Sequence, residues 1–383
     1  MNTLRFPRGF IGGAVAAGIK KSGLDLALIV NEGPTHFATG VFTSNQILAA
    51  PVTWTQKAIR GGRLDAVLLN SGGANACTGE AGELAVTRSA EKVSLGLNTN
   101  PLHIGICSTG MIGVQLPLEP LLSGIEKNLK NLSGESLVDC ATAIMTTDSH
   151  PKISNINSGN INFTGIAKGA GMLAPALATM LSVVMTDAIV DEREAASIFA
   201  EVCERTFNRI DSDGCMSTND TVLFLASGAS GEKIESNQLR ASLTEVCGNL
   251  ANQLISDAEG HTKIISIKTL GARSERDAVE VGRACARNNL LKCALFGEDP
   301  NWGRVLAAIG TTKAIMDPKK VDVTINGVRV CVNSAPGEPR ELVNLKDKQI
   351  SIEIDLKTGD YSAVILTNDL SVEYVHENSA YST

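Results

Sequence analysis

Aromatic residues make up only 4% of this 383-residue chain. That is too few for the stacking surfaces on which single-stranded nucleic acids and sugars are usually held. The nine cysteines (77, 107, 140, 203, 215, 247, 285, 293 and 331) form no Cys-x-x-Cys pair, and neither the ligand spacing of a zinc site nor that of a calcium loop occurs. There is no long run of one charge sign, and the net charge is -7, so the basic footprint of a nucleic-acid-binding protein is missing. No apolar run reaches membrane-spanning length, and Met1-Asn-Thr-Leu-Arg-Phe-Pro-Arg-Gly-Phe10 carries no signal-peptide core. The expectation is a cytoplasmic protein with reduced, mostly buried thiols, bound to no nucleic acid, membrane or metal.

The chain is long enough to bury a large core, as two lobes or one layered domain, and 43% of its residues are hydrophobic. Strands and helices alternate along it. Leu64–Asn70, His103–Cys107, Thr179–Val190, Thr221–Ala226 and Lys263–Leu270 read as strands. Helices are expected over Glu192–Phe207, Gln238–Ile255 and Glu275–Leu291, the second with Leu239, Leu243, Val246, Leu250 and Leu254 on one face. Beyond Trp302 the pattern turns mainly β and antiparallel, with hairpins expected at Asn326-Gly327 and Thr358-Gly359-Asp360. The class is mixed α and β.

The segment Lys168-Gly-Ala-Gly-Met-Leu-Ala-Pro-Ala-Leu-Ala-Thr-Met-Leu181 places one hydroxyl residue, Thr179, among small apolar neighbours. Taken alone, Thr179 reads as a β-branched residue that starts a strand. A second reading makes it a nucleophile. A threonine hydroxyl needs a base, and none of the five histidines (36, 103, 150, 261 and 376) stands in a Ser/His/Asp order with it. An N-terminal threonine carries its own base, an α-amine whose ordinary pKa of about 7.7–8.0 suits neutral pH. Exposing that amine requires cleavage of the Ala178–Thr179 bond.

Acyl transfer also needs donors for a developing oxyanion. Thr109 and Gly110, in Cys107-Ser-Thr-Gly-Met-Ile-Gly113, offer a hydroxyl and a backbone N–H in a tight turn; an ordinary strand-to-helix turn has the same composition. Asn70-Ser-Gly-Gly-Ala-Asn-Ala-Cys-Thr-Gly-Glu-Ala-Gly82 is neither a Walker loop nor a dinucleotide fingerprint, and its small residues suit close backbone approach. Acidic residues gather in Met145-Thr-Thr-Asp148, Asp213–Thr221 and Asp257–Lys263 without metal-ligand spacing. Lys168 and Glu259 read as opposite charges suited to a zwitterionic amino acid.

Together these segments resemble those of the bifunctional arginine-biosynthesis family of glutamate N-acetyltransferase/ornithine acetyltransferase. The likeness runs from Pro7-Arg-Gly-Phe10 to Glu377-Asn-Ser-Ala-Tyr-Ser-Thr383 and includes the Lys-Gly-x-Gly-Met…Ala-Thr-Met-Leu, Ser-Thr-Gly, Asn-Ala-x-Thr-Gly, Met-Thr-Thr-Asp, Ser-Thr-Asn-Asp-Thr and Asp-Pro-Asn-Trp-Gly-Arg motifs, in order. The resemblance implies an α+β fold, a layered αββα sandwich like that of the self-processing aminopeptidases. It implies self-cleavage into an α chain, 1–178, and a β chain, 179–383, intertwined in one fold and assembled as a heterotetramer. Thr179 would be the nucleophile, and Thr109 with Gly110 the oxyanion hole. Substrate would be held by the threonines of the Met-Thr-Thr-Asp motif (Thr146 and Thr147), Lys168, Thr179, Glu259, Asn378 and Thr383. The implied reaction passes acetyl from N-acetylornithine to glutamate without cofactor or metal. Bifunctional members also take acetyl-CoA, as a substrate, for the glutamate step. Pro175-Ala-Leu177 departs from the family's Pro-Asn-Met, on the leaving side of the bond, and spares Thr179. The rival implied by the same scaffold is an amidohydrolase or aminopeptidase, with water as acceptor.

Overall fold

The computed structural model describes residues 4–173 and 180–380. In chain order the strands are β1 (Phe10–Val15), β2 (Leu26–Asn31), β3 (Phe37–Phe42), β4 (Ala66–Asn70), β5 (Ile104–Ser108), β6 (Lys152–Ser158), β7 (Ile161–Lys168), β8 (Leu181–Thr186), β9 (Thr221–Ala226), β10 (Ile264–Ala272), β11 (Asp322–Ile325), β12 (Val328–Val332), β13 (Ala335–Pro336), β14 (Gln349–Asp355) and β15 (Tyr361–Asn368). The helices are α1 (Ala50–Ala58), α2 (Gly79–Leu97), α3 (Leu118–Leu129), α4 (Leu137–Ala143), α5 (Glu192–Arg205), α6 (Ser236–Ser256), α7 (Glu275–Ala286), α8 (Asn289–Phe296), α9 (Trp302–Ile309) and α10 (Val372–Ala380).

Strand alternation builds the layers. β2 sends Leu26, Leu28 and Val30 toward α2 and α3, and Ala27 and Ile29 the other way. Ala27 and Ile29 meet Leu181, Val183 and Met185 of β8 and Leu223 and Leu225 of β9 in one core. The opposite face of β9, Val222, Phe224 and Ala226, packs on Phe199 of α5 and on Leu243, Val246 and Leu250 of α6. Phe224 stacks on Phe199 with ring centroids 5.3 Å apart, a favourable arrangement for burying two aromatic side chains. The result is the αββα sandwich implied above: helices, a four-stranded sheet (β1-β2-β4-β5), a five-stranded sheet (β3-β9-β8-β7-β6), helices. The buried leucine face expected for α6 is present. Six of the nine cysteines are buried, and all nine are unpaired.

Beyond Trp302 the chain is mainly β, as expected, and completes a six-stranded sheet, β13-β12-β11-β14-β10-β15, covered on one face by α7, α8 and α9. Two local expectations do not hold. The helix expected over Glu275–Leu291 is two helices, because the Asn288 side chain accepts from the Leu291 N–H and caps a new start. Asn326-Gly327 does turn a β11–β12 hairpin, but Thr358-Gly359-Asp360 does not join neighbouring strands. β10 lies between β14 and β15, parallel to the first and antiparallel to the second. The turn crosses the end of β10, where the Thr358 N–H donates to Gly271 O at 2.7 Å.

Candidate active site

The parallel strands β4 and β5 end side by side, Asn70 opposite Ser108, and the turns that follow are locked to each other. Ser108 Oγ donates to Asn70 Oδ1 at 2.6 Å. The Thr109 N–H donates to Asn70 O, and the Gly73 N–H to Thr109 O, each at 3.0 Å. Asn219 Nδ2 donates to Ala74 O and Ser108 O. Gly110 follows with φ of +127°, a conformation open to glycine alone. A Cβ there would stand 2.6 Å from the Gly73 nitrogen. Among the described residues, no acceptor stands against the Gly110 N–H. The glycines of the Asn70–Gly82 segment thus let two backbones touch beside a free donor, as an oxyanion site requires.

Lys168 ends β7, paired with Leu181 at the start of β8. Its side chain is 2% exposed, with Nζ 3.2 Å from Thr109 Oγ1 and 4.0 Å from Asp148 Oδ2. Burial depresses its pKa, Asp148 opposes that shift, and Lys152 adds to it. Asp148 is the hub of this cluster. It accepts from Lys152 Nζ and the Gly169 N–H at 2.6 Å each, and from the Thr146 N–H at 3.0 Å. Burial alone would raise its pKa; Lys168, Lys152 and the Gly169 N–H overcome burial and hold it at about 2. Lys152 also donates to Asp257 at 2.6 Å. These carboxylates therefore receive lysine ammoniums and backbone N–H groups.

The Met-Thr-Thr-Asp threonines divide their work. Thr146 contributes its backbone N–H to Asp148, whereas Thr147 Oγ1 donates to Glu259 Oε1 at 2.7 Å. Glu259 is held in turn by its own N–H, on Ala170 O at 3.0 Å. Gly171 leaves room for its carboxylate, since a Cβ there would lie 2.4 Å from Oε2. Beside Glu259 is a cavity of about 70 Å³ lined by Ser212, Asp213, Lys292, Asn368 and Tyr374 among others. Tyr374 brings α10 to the site; burial and then Asp213 and Glu259 push its phenol up to about 12. Asn378, one turn further along, is exposed and bonded to Tyr374 O. No described contact brings Asn378 to Thr109, Lys168 or Glu259. Ala178, Thr179 and Thr383 lie outside the described residues.

The Asp213–Thr221 segment, which the sequence marks only as an acidic cluster and a motif without an assigned role, holds the described residues on both sides of 174–179. Leu173 N–H donates to Asp213 Oδ2 at 3.0 Å, and Met180 N–H donates to Asp220 Oδ1 at 2.9 Å. The Thr221 N–H returns to Met180 O. Asp220 is fully buried, and among the described residues its Oδ2 has no hydrogen-bond partner. Burial raises its pKa well above the ordinary carboxylate value, against the pull of the Met180 N–H, Ser217 and Lys168. The one available signal was the run Ser-Thr-Asn-Asp-Thr itself; contacts forty residues apart leave no local pattern.

The ArgJ family model matches residues 12–383. The arginine biosynthesis bifunctional protein ArgJ of Thermobifida fusca is 50% identical over 378 residues, 98% of this chain and 99% of its own. ArgJ 1 of Streptomyces clavuligerus is 51% identical over 382 residues and the whole of both chains. The solved ArgJ structure from Bacillus halodurans is 31% identical with a TM-score of 0.50, covering 52% of this chain and 98% of that one. In fold, in motif order and across its whole length, this chain belongs to the ArgJ family.

Proposed function

We propose that the chain moves an acetyl group from N-acetylornithine to glutamate through an ester on Thr179, after cutting itself between Ala178 and Thr179. One observation carries this reading. The strand that begins two residues after Thr179 is paired at its first residue, Leu181, with Lys168, and Lys168 reaches Thr109 of the turn that offers the free Gly110 N–H. Nucleophile and oxyanion donors are thus joined through one buried lysine. The lengths agree with a cut chain, since the Bacillus halodurans chain aligns over nearly all of itself yet over about half of this one.

In self-cleavage the Thr179 hydroxyl attacks the Ala178 carbonyl. The C–N bond breaks as the C–O bond forms, the hydroxyl proton passes to the nitrogen, and water hydrolyses the ester. The freed α-amine then serves as base. Thr179 Oγ attacks the acetyl carbonyl of N-acetylornithine and yields its proton to the amine. The oxyanion rests on Thr109 and Gly110. Collapse returns the proton to the departing ornithine nitrogen and leaves acetyl-Thr179. The amine of glutamate attacks the ester, loses a proton to the Thr179 amine, and N-acetylglutamate departs. Glu259 and Thr147 bind the substrate's ammonium side, and Lys168 orders the oxyanion turn. Acetyl-CoA enters as a second donor, and two copies of each fragment form the working assembly.

Intact-mass measurement should find two fragments split before Thr179, and Thr179→Ala should abolish both cleavage and transfer. Labelled N-acetylornithine with glutamate should yield labelled N-acetylglutamate. An uncleaved, active chain would overturn the nucleophile, and free acetate without N-acetylglutamate would establish a hydrolase instead.

A further inference from the structure

The loop between β1 and β2 is built around one carboxylate. Asp25 is fully buried and accepts four backbone N–H groups: Ala17 at 2.6 Å, Gly18 at 3.0 Å, Ile19 at 2.7 Å and Lys20 at 2.9 Å. Its carbonyl accepts the Ser71 N–H at 3.0 Å, which ties the loop to the segment that meets the Thr109–Gly110 turn. Gly72 completes the seat: a Cβ there would lie 2.8 Å from Lys20 Cγ. The Lys20 stem therefore runs over Gly72, and Nζ reaches Met145 O at 3.1 Å, directly before the threonines that meet Glu259 and Asp148. Three independent devices aim one ammonium into the space between the oxyanion turn and the Met-Thr-Thr-Asp segment.

That ammonium is uncommitted. Lys152 is shared between two carboxylates, and Lys168 is enclosed with Thr109 and Asp148. Lys20 is half-buried, and among the described residues it makes no ion pair; its Nζ meets only a neutral carbonyl. Asp25 and Asp148 act on it from a distance while burial lowers its pKa. Holding a long cationic side chain still without a partner costs both entropy and desolvation. A ligand anion would repay that cost.

We propose that Lys20 is a substrate-binding residue whose ammonium takes the α-carboxylate of the amino-acid substrates. This rests on the acetyl-transfer reading. Ornithine and glutamate carry opposite charges at their side-chain ends and share only the α-carboxylate as an anion. A fixed cation therefore suits the shared end and serves both half-reactions.

Lys20→Met should raise KM for N-acetylornithine and for glutamate, each roughly ten- to hundredfold, the usual loss for one charge-assisted hydrogen bond, with kcat little changed. Lys20→Arg should recover most of it. The decisive acceptor is 4-aminobutyrate, which is glutamate without its α-carboxylate. Wild type should prefer glutamate, and Lys20→Met should erase most of that preference. Equal losses with both acceptors, or no loss with glutamate, would overturn the assignment in favour of a structural role. Fragment masses and thermal midpoint check that the variant folds and cuts itself. Calorimetric titration of ornithine into wild type and Lys20→Met needs no turnover. If wild type transfers no acetyl, unequal ornithine affinities still support Lys20 while the acetyl-transfer reading falls; equal affinities overturn Lys20.

Discussion

Asp148 joins stability to chemistry in one side chain. It receives Lys152, the Gly169 N–H and the Thr146 N–H, and stands 4.0 Å from Lys168. Its folded pKa of about 2 lies below the ordinary 3.8, so the folded state favours the charged form. The stabilisation is present above the unfolded value and is lost as pH falls from about 4 through about 2. Denaturant titrations over that window should reveal a loss on the order of 2 kcal/mol in wild type that is missing from Asp148→Asn. At pH 7 that variant should be weaker by about 3–5 kcal/mol, since it takes the nearest carboxylate from the buried Lys168 and leaves the buried Lys152 with Asp257 alone. An acid profile identical in the two proteins would exclude this role. Thr109, Lys168 and Glu259 were legible in the sequence because hydroxyl, glycine and charge sit in short motifs. Asp148 and Asp220 were visible only as acidic residues, because the lysines and N–H groups that define them come from other strands. The choice between Thr146 and Thr147 turns on which side chain faces Glu259, and adjacent identical residues carry no such information.

Among the elements, α6 is the most fully determined by local pattern. Its leucines recur at helical spacing, and each is buried against the five-stranded sheet. Leu250 also fills the notch at Gly165 of β7, where a Cβ would come within 2.7 Å of its Cδ1. Leu250→Ala should therefore cost about 2–5 kcal/mol, read from the denaturant midpoint. A smaller loss would mean that the strand closes onto the vacancy. The strands were harder to place. β2, β4, β8 and β9 are buried on both faces, so each reads as a continuous apolar run that does not say which side meets which layer. The Thr358-Gly359-Asp360 turn misled for a related reason. A tight turn usually joins neighbours, but here a strand from ninety residues earlier occupies the space between, and only tertiary pairing decides that.

Across the whole molecule, the two stretches on either side of Thr179 are not separate bodies. The five-stranded sheet draws β3, β6 and β7 from before that position and β8 and β9 from after it. β7 and β8 pair over six residues, Phe163–Thr186 to Lys168–Leu181, and the bond proposed to break lies in their connection. No described helix is long and apolar enough to cross a membrane. Cleavage would leave every described hydrogen bond and core contact in place. The fragments should co-elute from a native sizing column and separate only in denaturant; separation under native conditions would contradict a shared sheet.

The same hairpin alters what unfolding means. An intact chain that melts keeps β7 and β8 tethered by a dozen residues, and refolding is a first-order search. A cut chain that melts releases two molecules into solution, and their reunion becomes second order. The midpoint of thermal unfolding should then climb more steeply with protein concentration than that of the Thr179→Ala chain, whose only second-order step is the pairing of two copies. One broken peptide bond would change no packing and yet make the stability of the enzyme depend more steeply on how much of it is present.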